Sequence, residues 1–289
     1  MAVEEKCYIA HSLEEALEIR KTTGAIPLAG GTDLMVQHKV GVGCVPVFEK
    51  PIVIISNLKE LKGIQKKEDG SVMIGALTTS AEIASSELIP YPVRAAAGRM
   101  GAVALRNSAT IGGNIGNASP KGDLPQPLIL LDAEVVLMSA DGVRTVLLDE
   151  FIKGAKKTDL HDDEIIAAIR IPEVKVTHQF FHKVGTRRAN AISKLTLSCV
   201  ANVEDGVVVD FRASSGAAGP KVARSREAEE MIIGLKLDEI TDHIGEFTRK
   251  WDTVISPHAM PEWRRNSTRR LLTFFLEKLA SGVEPGIME

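Results

Sequence analysis

The sequence contains little cysteine, few aromatic residues and no long apolar segment. Its three cysteines, Cys7, Cys44 and Cys199, lie far apart in 289 residues and form no Cys-x-x-Cys pair. We therefore expect neither an iron–sulfur cluster nor a structural zinc ion on this chain. Unpaired thiols are typical of proteins kept in a reducing compartment, and the first residues lack the basic region and apolar core of a secretory signal. These features predict a cytoplasmic protein.

Charge and hydropathy disfavour two further classes of function. The 35 lysines and arginines against 38 aspartates and glutamates leave a net charge of −3, and aromatic residues make up 4%. The chain thus has neither the basic surplus nor the stacking residues that nucleic acid would need. The strongest apolar run, Leu128–Leu131, is closed by Asp132 and is far shorter than the roughly 20 residues of a membrane span. No nucleic-acid partner and no membrane span are expected.

The N-terminal segment has the pattern of a strand–helix–strand unit. Hydrophobic residues make up 44% of the chain, which is enough for a core, and the length favours two domains. Ser12 and Glu15 predict a helix start with a capping box, and Gly24 predicts the helix end. Short strands are expected at 26–29 and 51–55.

From about residue 60 the pattern changes to hairpins with inserted helices. Asp69-Gly70 and Asp141-Gly142 each lie between strand-like segments, which is the signal of a two-residue hairpin turn. Strands that pair around inserted helices favour an α+β fold. The predicted helices lie at 80–88, 92–101 and 124–132, and a predicted strand at 165–171 ends before Pro172.

A domain boundary is predicted near 173–177. Asp205-Gly206 forms a third hairpin signal beyond it. The predicted strands of this region are 178–185, 195–203 and 207–214, and its predicted helices are 223–233, 238–250 and 261–280. The C-terminal part is therefore expected to be a small α+β domain with a three-stranded antiparallel sheet and helices.

Two glycine-rich segments carry the strongest functional signal. The first is Leu28, Ala29, Gly30, Gly31, Thr32, Asp33 and Leu34; the second begins Thr110, Ile111, Gly112, Gly113 and Asn114 and runs to Pro120. Paired glycines permit positive φ and direct successive N–H groups toward one point, where they bind phosphate oxygens without lysine or arginine. Two such loops could converge on a pyrophosphate. Each could also be a tight turn, in which glycine and asparagine are common.

The familiar phosphate-binding motifs are missing from the sequence. Gly41-Val42-Gly43 begins like Gly-x-Gly-x-x-Gly, but Pro46 stands where the third glycine belongs. Gly-x-x-x-x-Gly-Lys-Ser/Thr does not occur. A Rossmann NAD domain and a P-loop NTPase are therefore disfavoured.

The residue types and the order of the two segments resemble those of a known family. Ala29–Leu34 matches Ala-Gly-Gly-Thr-Asp-Leu, and Thr110–Asn114 matches Thr-Ile-Gly-Gly-Asn, followed by Ser119–Asp123. Farther along, Asp163–Pro172 and Lys183–Ile192 fit the same pattern. The chain, from about residue 8 to 280, resembles the FAD-binding medium subunit of molybdenum hydroxylases, the family of xanthine dehydrogenase and carbon monoxide dehydrogenase.

The resemblance implies a fold with stated boundaries. A FAD-binding domain of the p-cresol methylhydroxylase/vanillyl-alcohol oxidase type would cover 1–175, with subdomains at about 1–58 and 59–175. A C-terminal flavoprotein domain would cover 176–289. Both would be α+β.

The resemblance also implies roles for single residues. Leu28–Leu34 and Thr110–Asn114 would hold the FAD pyrophosphate through backbone N–H groups, and Asp123 would accept hydrogen bonds from the hydroxyl-bearing part of the cofactor. Ile166 would contact the flavin, and Lys183 would lie near its ring, where a cation stabilises the anionic reduced flavin. No catalytic acid–base pair, nucleophile or metal ligand is expected on this chain.

The function implied is electron transfer within a larger oxidoreductase. A large molybdopterin subunit would oxidise the substrate, a small subunit with 2Fe-2S clusters would pass the electrons on, and FAD on this chain would deliver them to NAD or another acceptor. The complex would be a dimer of heterotrimers. Two alternatives remain: a stand-alone FAD-dependent oxidoreductase of the same fold, and a scaffold subunit that has lost FAD.

Overall fold

The N-terminal elements form a three-stranded parallel sheet with one covering helix. The computed structural model describes residues 7–187 and 189–288. The elements are β1 (Cys7–Ile9), α1 (Leu13–Thr23), β2 (Ile26–Leu28), α2 (Leu34–Gln37) and β3 (Ile52–Ile54), and the strand order is β1-β3-β2. β3 pairs in parallel with both neighbours. The predicted strand–helix–strand unit is confirmed.

The start of α1 differs in one detail from the expected capping box. The Ser12 hydroxyl accepts from the Glu15 N–H at 3.1 Å, as predicted. The Glu15 carboxylate, however, accepts from the N–H of His11 at 2.7 Å rather than from that of Ser12. Gly24 ends the helix with φ 63°, in the left-handed conformation that glycine adopts without strain.

The next elements build a five-stranded antiparallel sheet with helices on it. The expected hairpins at Asp69-Gly70 and Asp141-Gly142 are present, and they join β4 to β5 and β6 to β7. The elements are β4 (Ile64–Lys66), β5 (Val72–Gly75), α3 (Ser80–Ser85), α4 (Tyr91–Gly98), α5 (Val103–Arg106), α6 (Ile111–Gly116), α7 (Pro125–Leu130), β6 (Glu134–Ser139), β7 (Gly142–Leu147), α8 (Leu148–Phe151), β8 (Ile152–Gly154), β9 (Lys157–Thr158) and β10 (Ile165–Ile171). The strand order is β4-β5-β10-β6-β7, while β8 and β9 form a separate small hairpin.

The C-terminal sheet has four strands among the described residues, not the three predicted. Its order is β13-β12-β11-β14, because the last strand pairs in parallel with the start of β11. That strand has two residues, too few for any periodicity in the sequence. The elements are β11 (His178–Val184), β12 (Leu195–Glu204), β13 (Val207–Gly216), α9 (Arg226–Glu230), α10 (Ile240–Asp252), α11 (Pro261–Ala280) and β14 (Gly286–Ile287).

The helix predicted over 223–233 is shorter in the structure. Ala223 exchanges two backbone hydrogen bonds of 2.8 Å with Ser215 at the end of β13, so its backbone is already paired as in a sheet. Ser225 then caps α9 by accepting from the Ala228 N–H. Tertiary pairing thus overrides a local helical pattern.

The two halves of the molecule share one strand. Phe180 and Phe181 are neighbours in β11, and both are buried. Phe180 belongs to the C-terminal core with Phe211 and Phe275, whereas Phe181 belongs to the core over the five-stranded sheet, because successive side chains of a strand point to opposite faces. No helix within the described ranges is long and apolar enough to cross a membrane.

Candidate functional site

The two glycine-rich segments line one cleft between the N-terminal sheet and the five-stranded sheet. Its volume is about 450 Å³. The predicted residues that line it are Leu28, Ala29, Gly30, Gly31, Thr32, Asp33, Leu34, Thr110, Gly112, Gly113, Asn114 and Ile166. Ile111 does not line it and is fully buried in the core.

The first segment joins β2 to α2 and leaves backbone donors free. Gly31 has φ 67°, so the chain turns sharply at this point. The N–H groups of Gly31, Thr32 and Asp33 donate to no acceptor within residues 7–187 and 189–288. Successive free N–H groups next to a left-handed residue form a nest that suits an anionic oxygen.

Close packing at Gly30 brings the two segments together. A Cβ atom added at Gly30 would lie 1.7 Å from the carbonyl oxygen of Ser108. Ser108 stands two residues before Thr110, where the second segment begins. The absence of a side chain at Gly30 therefore sets how closely the two segments approach each other.

The second segment is a helix start rather than a free nest. Thr110 caps α6, and its hydroxyl accepts from the Gly113 N–H at 3.2 Å. The remaining N–H groups from Ile111 to Asn114 also have acceptors in the chain, namely the carbonyl oxygens of Thr78, Ala76 and Thr110. The expected free donors of this segment are thus occupied. Its glycines instead allow neighbouring residues to pack closely, since a Cβ at Gly112 would meet the Cβ of Ala76 at 2.7 Å.

The cap of α6 gives a direct test of this geometry. We expect Thr110→Ala to lower the free energy of unfolding by about 1 kcal/mol, the usual cost of removing an N-cap hydroxyl. Thr110→Ser keeps the acceptor and should lose much less. Urea denaturation of both variants measures the difference, and equal stability of the two would contradict a capping role for the hydroxyl.

Ile166 is presented to the cleft by an irregularity in β10. The pairing of β10 with β6 shifts register between Ile166 and Ala168, and such bulges re-aim a side chain relative to its strand. The side chain also contacts α6, because a Cβ at Gly116 would lie 3.3 Å from Ile166 Cδ1. This places an apolar surface in the cleft beside the second glycine-rich segment.

Asp123 and Lys183 form a buried ion pair outside the cleft lining. The Lys183 Nζ lies 2.6 Å from Asp123 Oδ2 and 3.0 Å from the Arg99 carbonyl oxygen, while the Ser193 hydroxyl donates to Asp123 Oδ1 at 2.6 Å. The exposed fractions of the two charged side chains are 6% and 9%. Burial raises the pKa of the Asp123 carboxyl, and the charge of Lys183 and the hydrogen bonds from Lys183 and Ser193 oppose that rise.

Three polar residues that the sequence reasoning did not select also line the cleft. They are Gln37, Asn117 and Lys156. Asn117 lies inside the second motif, and Gln37 follows Asp33 by one helical turn, so both had a signal in the sequence. No local sequence pattern marks Lys156, because it reaches the cleft only through the folding of the β8–β9 hairpin.

These three residues and Asp33 form a continuous hydrogen-bonded chain. Lys156 Nζ donates to Gln37 Oε1 at 3.0 Å, and Gln37 Nε2 donates to Asn117 Oδ1 at 2.8 Å. Asn117 Nδ2 donates to the carboxylate of Asp33. Among the described residues that line the cleft, Lys156 is the single cation and Asp33 the single acid.

The described residues contain no cluster of three or more His, Cys, Asp or Glu side chains suited to a metal ion. The cleft instead combines free backbone donors, close-approach glycines and one apolar wall. This is the chemistry of a site for an anionic ligand with a large apolar part.

Comparison with known proteins gives the family. Residues 2–174 match the FAD binding domain in molybdopterin dehydrogenase, and residues 180–279 match the CO dehydrogenase flavoprotein C-terminal domain. The chain belongs to this family of flavin-binding subunits. The expected family and oxidoreductase class are thereby confirmed, as is the FAD-binding domain on this chain.

Individual relatives cover nearly the whole chain. The glyceraldehyde dehydrogenase medium chain of Sulfolobus acidocaldarius is 31% identical over 271 residues, which is 91% of this chain and 94% of that protein. The nicotinate dehydrogenase FAD-subunit of Eubacterium barkeri is 34% identical over 239 residues, 78% of each chain. The structure of reconstituted CO dehydrogenase from Oligotropha carboxidovorans has a TM-score of 0.86 at 22% identity and covers 98% of this chain and 100% of that chain. That likeness shows the shared fold.

Proposed function

We propose that this protein binds FAD in the cleft and serves as the electron-transferring flavin subunit of a multi-subunit molybdenum hydroxylase. The observation that carries the proposal is the meeting of both glycine-rich segments along one cleft, with the free N–H groups of Gly31, Thr32 and Asp33. Family membership favours FAD as the ligand.

The cleft residues fit the parts of FAD. The nest at Leu28–Leu34 would hold the pyrophosphate, and Thr110–Asn114 would let the cofactor approach the backbone closely. Ile166 would pack against the flavin, whose chemistry supplies the transfer of electrons when it is bound. Asp123 and Lys183 would act from beside the cleft, since Lys183 donates to the carbonyl of Arg99 and the next residue, Met100, lines the cleft.

The partners proposed are a small iron–sulfur subunit and a large molybdopterin subunit, in a cytoplasmic dimer of heterotrimers. The relatives carry names such as medium chain and FAD-subunit, which describe parts of larger enzymes. Electrons would leave through NAD or another acceptor. We further propose domains at 1–175 and 176–289, the first divided near 58 and of the p-cresol methylhydroxylase/vanillyl-alcohol oxidase type.

Flavin content of the purified protein tests the proposal. We expect the yellow colour and visible absorption bands of a flavin, and release of FAD when the protein is heated. Protein that is purified without colour should regain the spectrum when FAD is added. A colourless protein that takes up no added FAD would support a scaffold subunit instead.

Co-purification tests the assignment to a complex. Affinity capture of the protein from its own cells, followed by intact mass measurement, should give one smaller and one larger partner. Capture of a flavin-loaded chain without partners, which oxidises a substrate by itself, would support the stand-alone enzyme.

A further inference from the structure

Lys156 occupies an unusual position among the lysines of its hairpin. The neighbouring Lys153 pairs with Asp159 at 3.3 Å. Lys156 forms no ion pair within residues 7–187 and 189–288, and its ammonium group donates to the neutral amide oxygen of Gln37. Lys156 also lines the cleft, while Lys157 does not.

The backbone fixes Lys156 beside the second glycine-rich segment. Its N–H donates to the carbonyl oxygen of Ala118 at 2.9 Å, and both residues have positive φ, 56° for Lys156 and 42° for Ala118. The hairpin turn is therefore docked onto the end of α6. A main-chain hydrogen bond therefore fixes the backbone of Lys156 at this place.

The hydrogen-bonded chain ends in two charged groups, and each has a neutral amide as its partner in that chain. At one end the Asp33 carboxylate accepts a hydrogen bond from Asn117; at the other end the Lys156 ammonium has a neutral acceptor. The hydrogen bond from Lys156 to Gln37 carries charge on one side only, whereas an anionic oxygen would add the attraction between opposite charges. An anionic group that enters the cleft would thus be a better acceptor for Lys156 than Gln37 is.

We propose that Lys156 is a binding residue for the pyrophosphate of the dinucleotide in this cleft, which it lines together with Gly31, Thr32 and Asp33. Gln37 and Asn117 connect Lys156 to the Asp33 carboxylate through hydrogen bonds. This inference rests on the proposed function, in which the ligand is FAD.

Ligand titrations of the apoprotein test the role of Lys156. Three probes separate the parts of the cofactor: FAD, ADP, which has the pyrophosphate without the flavin, and riboflavin, which has no phosphate. Lys156→Met should weaken the binding of FAD and ADP about tenfold at low salt, as expected for a hydrogen bond to a charged group. Riboflavin binding should stay unchanged.

Salt dependence and matched variants make the test specific. Binding of FAD to the unchanged protein should weaken as salt rises, because salt screens the attraction between ammonium and phosphate, and Lys156→Met should reduce that dependence. Lys156→Arg should keep most of the affinity. Lys157→Met removes the same charge one residue away and should bind FAD like the unchanged protein, with an equal melting temperature for all variants.

The outcomes separate the two proposals. If Lys156→Met binds FAD and ADP as tightly as Lys157→Met does, the role of Lys156 is wrong although FAD binding stands. An equal loss of riboflavin and FAD affinity would also overturn it, since the effect would then not involve phosphate. If the unchanged protein binds neither FAD nor ADP, the proposed function fails and this inference fails with it.

Discussion

Gly30→Ala is expected to abolish the retention of FAD. The new methyl carbon would lie 1.7 Å from the Ser108 carbonyl oxygen, and this neighbour is backbone that cannot rotate away. The first glycine-rich segment must then move by about 1 Å or more, which takes the free N–H groups of Gly31, Thr32 and Asp33 out of hydrogen-bond distance of the phosphate oxygens. Flavin content and the dissociation constant of FAD measure the loss.

The same variant should also lower stability. Forcing an extra carbon into a packed contact typically costs about 1–3 kcal/mol, and the overlap at Gly30 is severe enough for the upper end. Gly154→Ala is the matched control, because Gly154 has no atom within 4 Å of an added Cβ and an ordinary φ. Normal FAD binding by Gly30→Ala would show that the two segments need not approach closely.

Lys183→Met is expected to lower the free energy of unfolding by about 3–5 kcal/mol at neutral pH. Lys183 and Asp123 are both almost fully buried, and loss of one partner leaves the other charge buried and unpaired. Ser193 alone would remain as hydrogen-bond partner of the Asp123 side chain among the described residues. Denaturant unfolding at pH 7 measures the loss.

The double variant Asp123→Asn/Lys183→Met distinguishes a lost charge balance from lost packing. It removes both charges, so it should be more stable than Lys183→Met alone. Equal or greater loss in the double variant would show that the methylenes of Lys183, and not its charge, matter.

The pH dependence of Lys183→Met follows from the direction of the Asp123 pKa. Burial raises this pKa in the folded protein, and loss of Lys183 should raise it further. Below the ordinary carboxyl pKa both folded and unfolded chains hold the proton and no penalty exists. The penalty grows as pH rises from the unfolded to the folded pKa and is complete above the latter. The stability deficit of Lys183→Met should therefore shrink on acidification.

Features that depend on local chemistry could be predicted from the sequence. The turn at Asp205-Gly206 is a hairpin with φ 51° and 77°, because this pair of residues tolerates positive φ. The glycine pairs likewise identified two segments that line the cleft. Glycine at these positions reflects steric limits that a local pattern can reveal.

Features created by distant contacts were not predictable from local pattern. The short strand Gly286–Ile287 exists because β11 offers an edge, and Lys156 reaches the cleft because the β8–β9 hairpin docks on Ala118. The N–H groups of the second segment also depend on distant contacts, because their acceptors Thr78 and Ala76 come from the segment that follows β5. Gly112 and Gly113 permit close packing in a helix start.

The double use of β11 has a consequence for how the molecule opens. Phe180 contributes to one core and Phe181 to the other, so β11 cannot leave one core without also displacing the ring that it contributes to the other. The free energy of opening one half is thereby tied to that of the second, and local unfolding at their junction is suppressed. Lys183 lies three residues from Phe180 on this strand. We therefore expect slow backbone hydrogen exchange in the strand that holds the residue proposed to act beside the flavin.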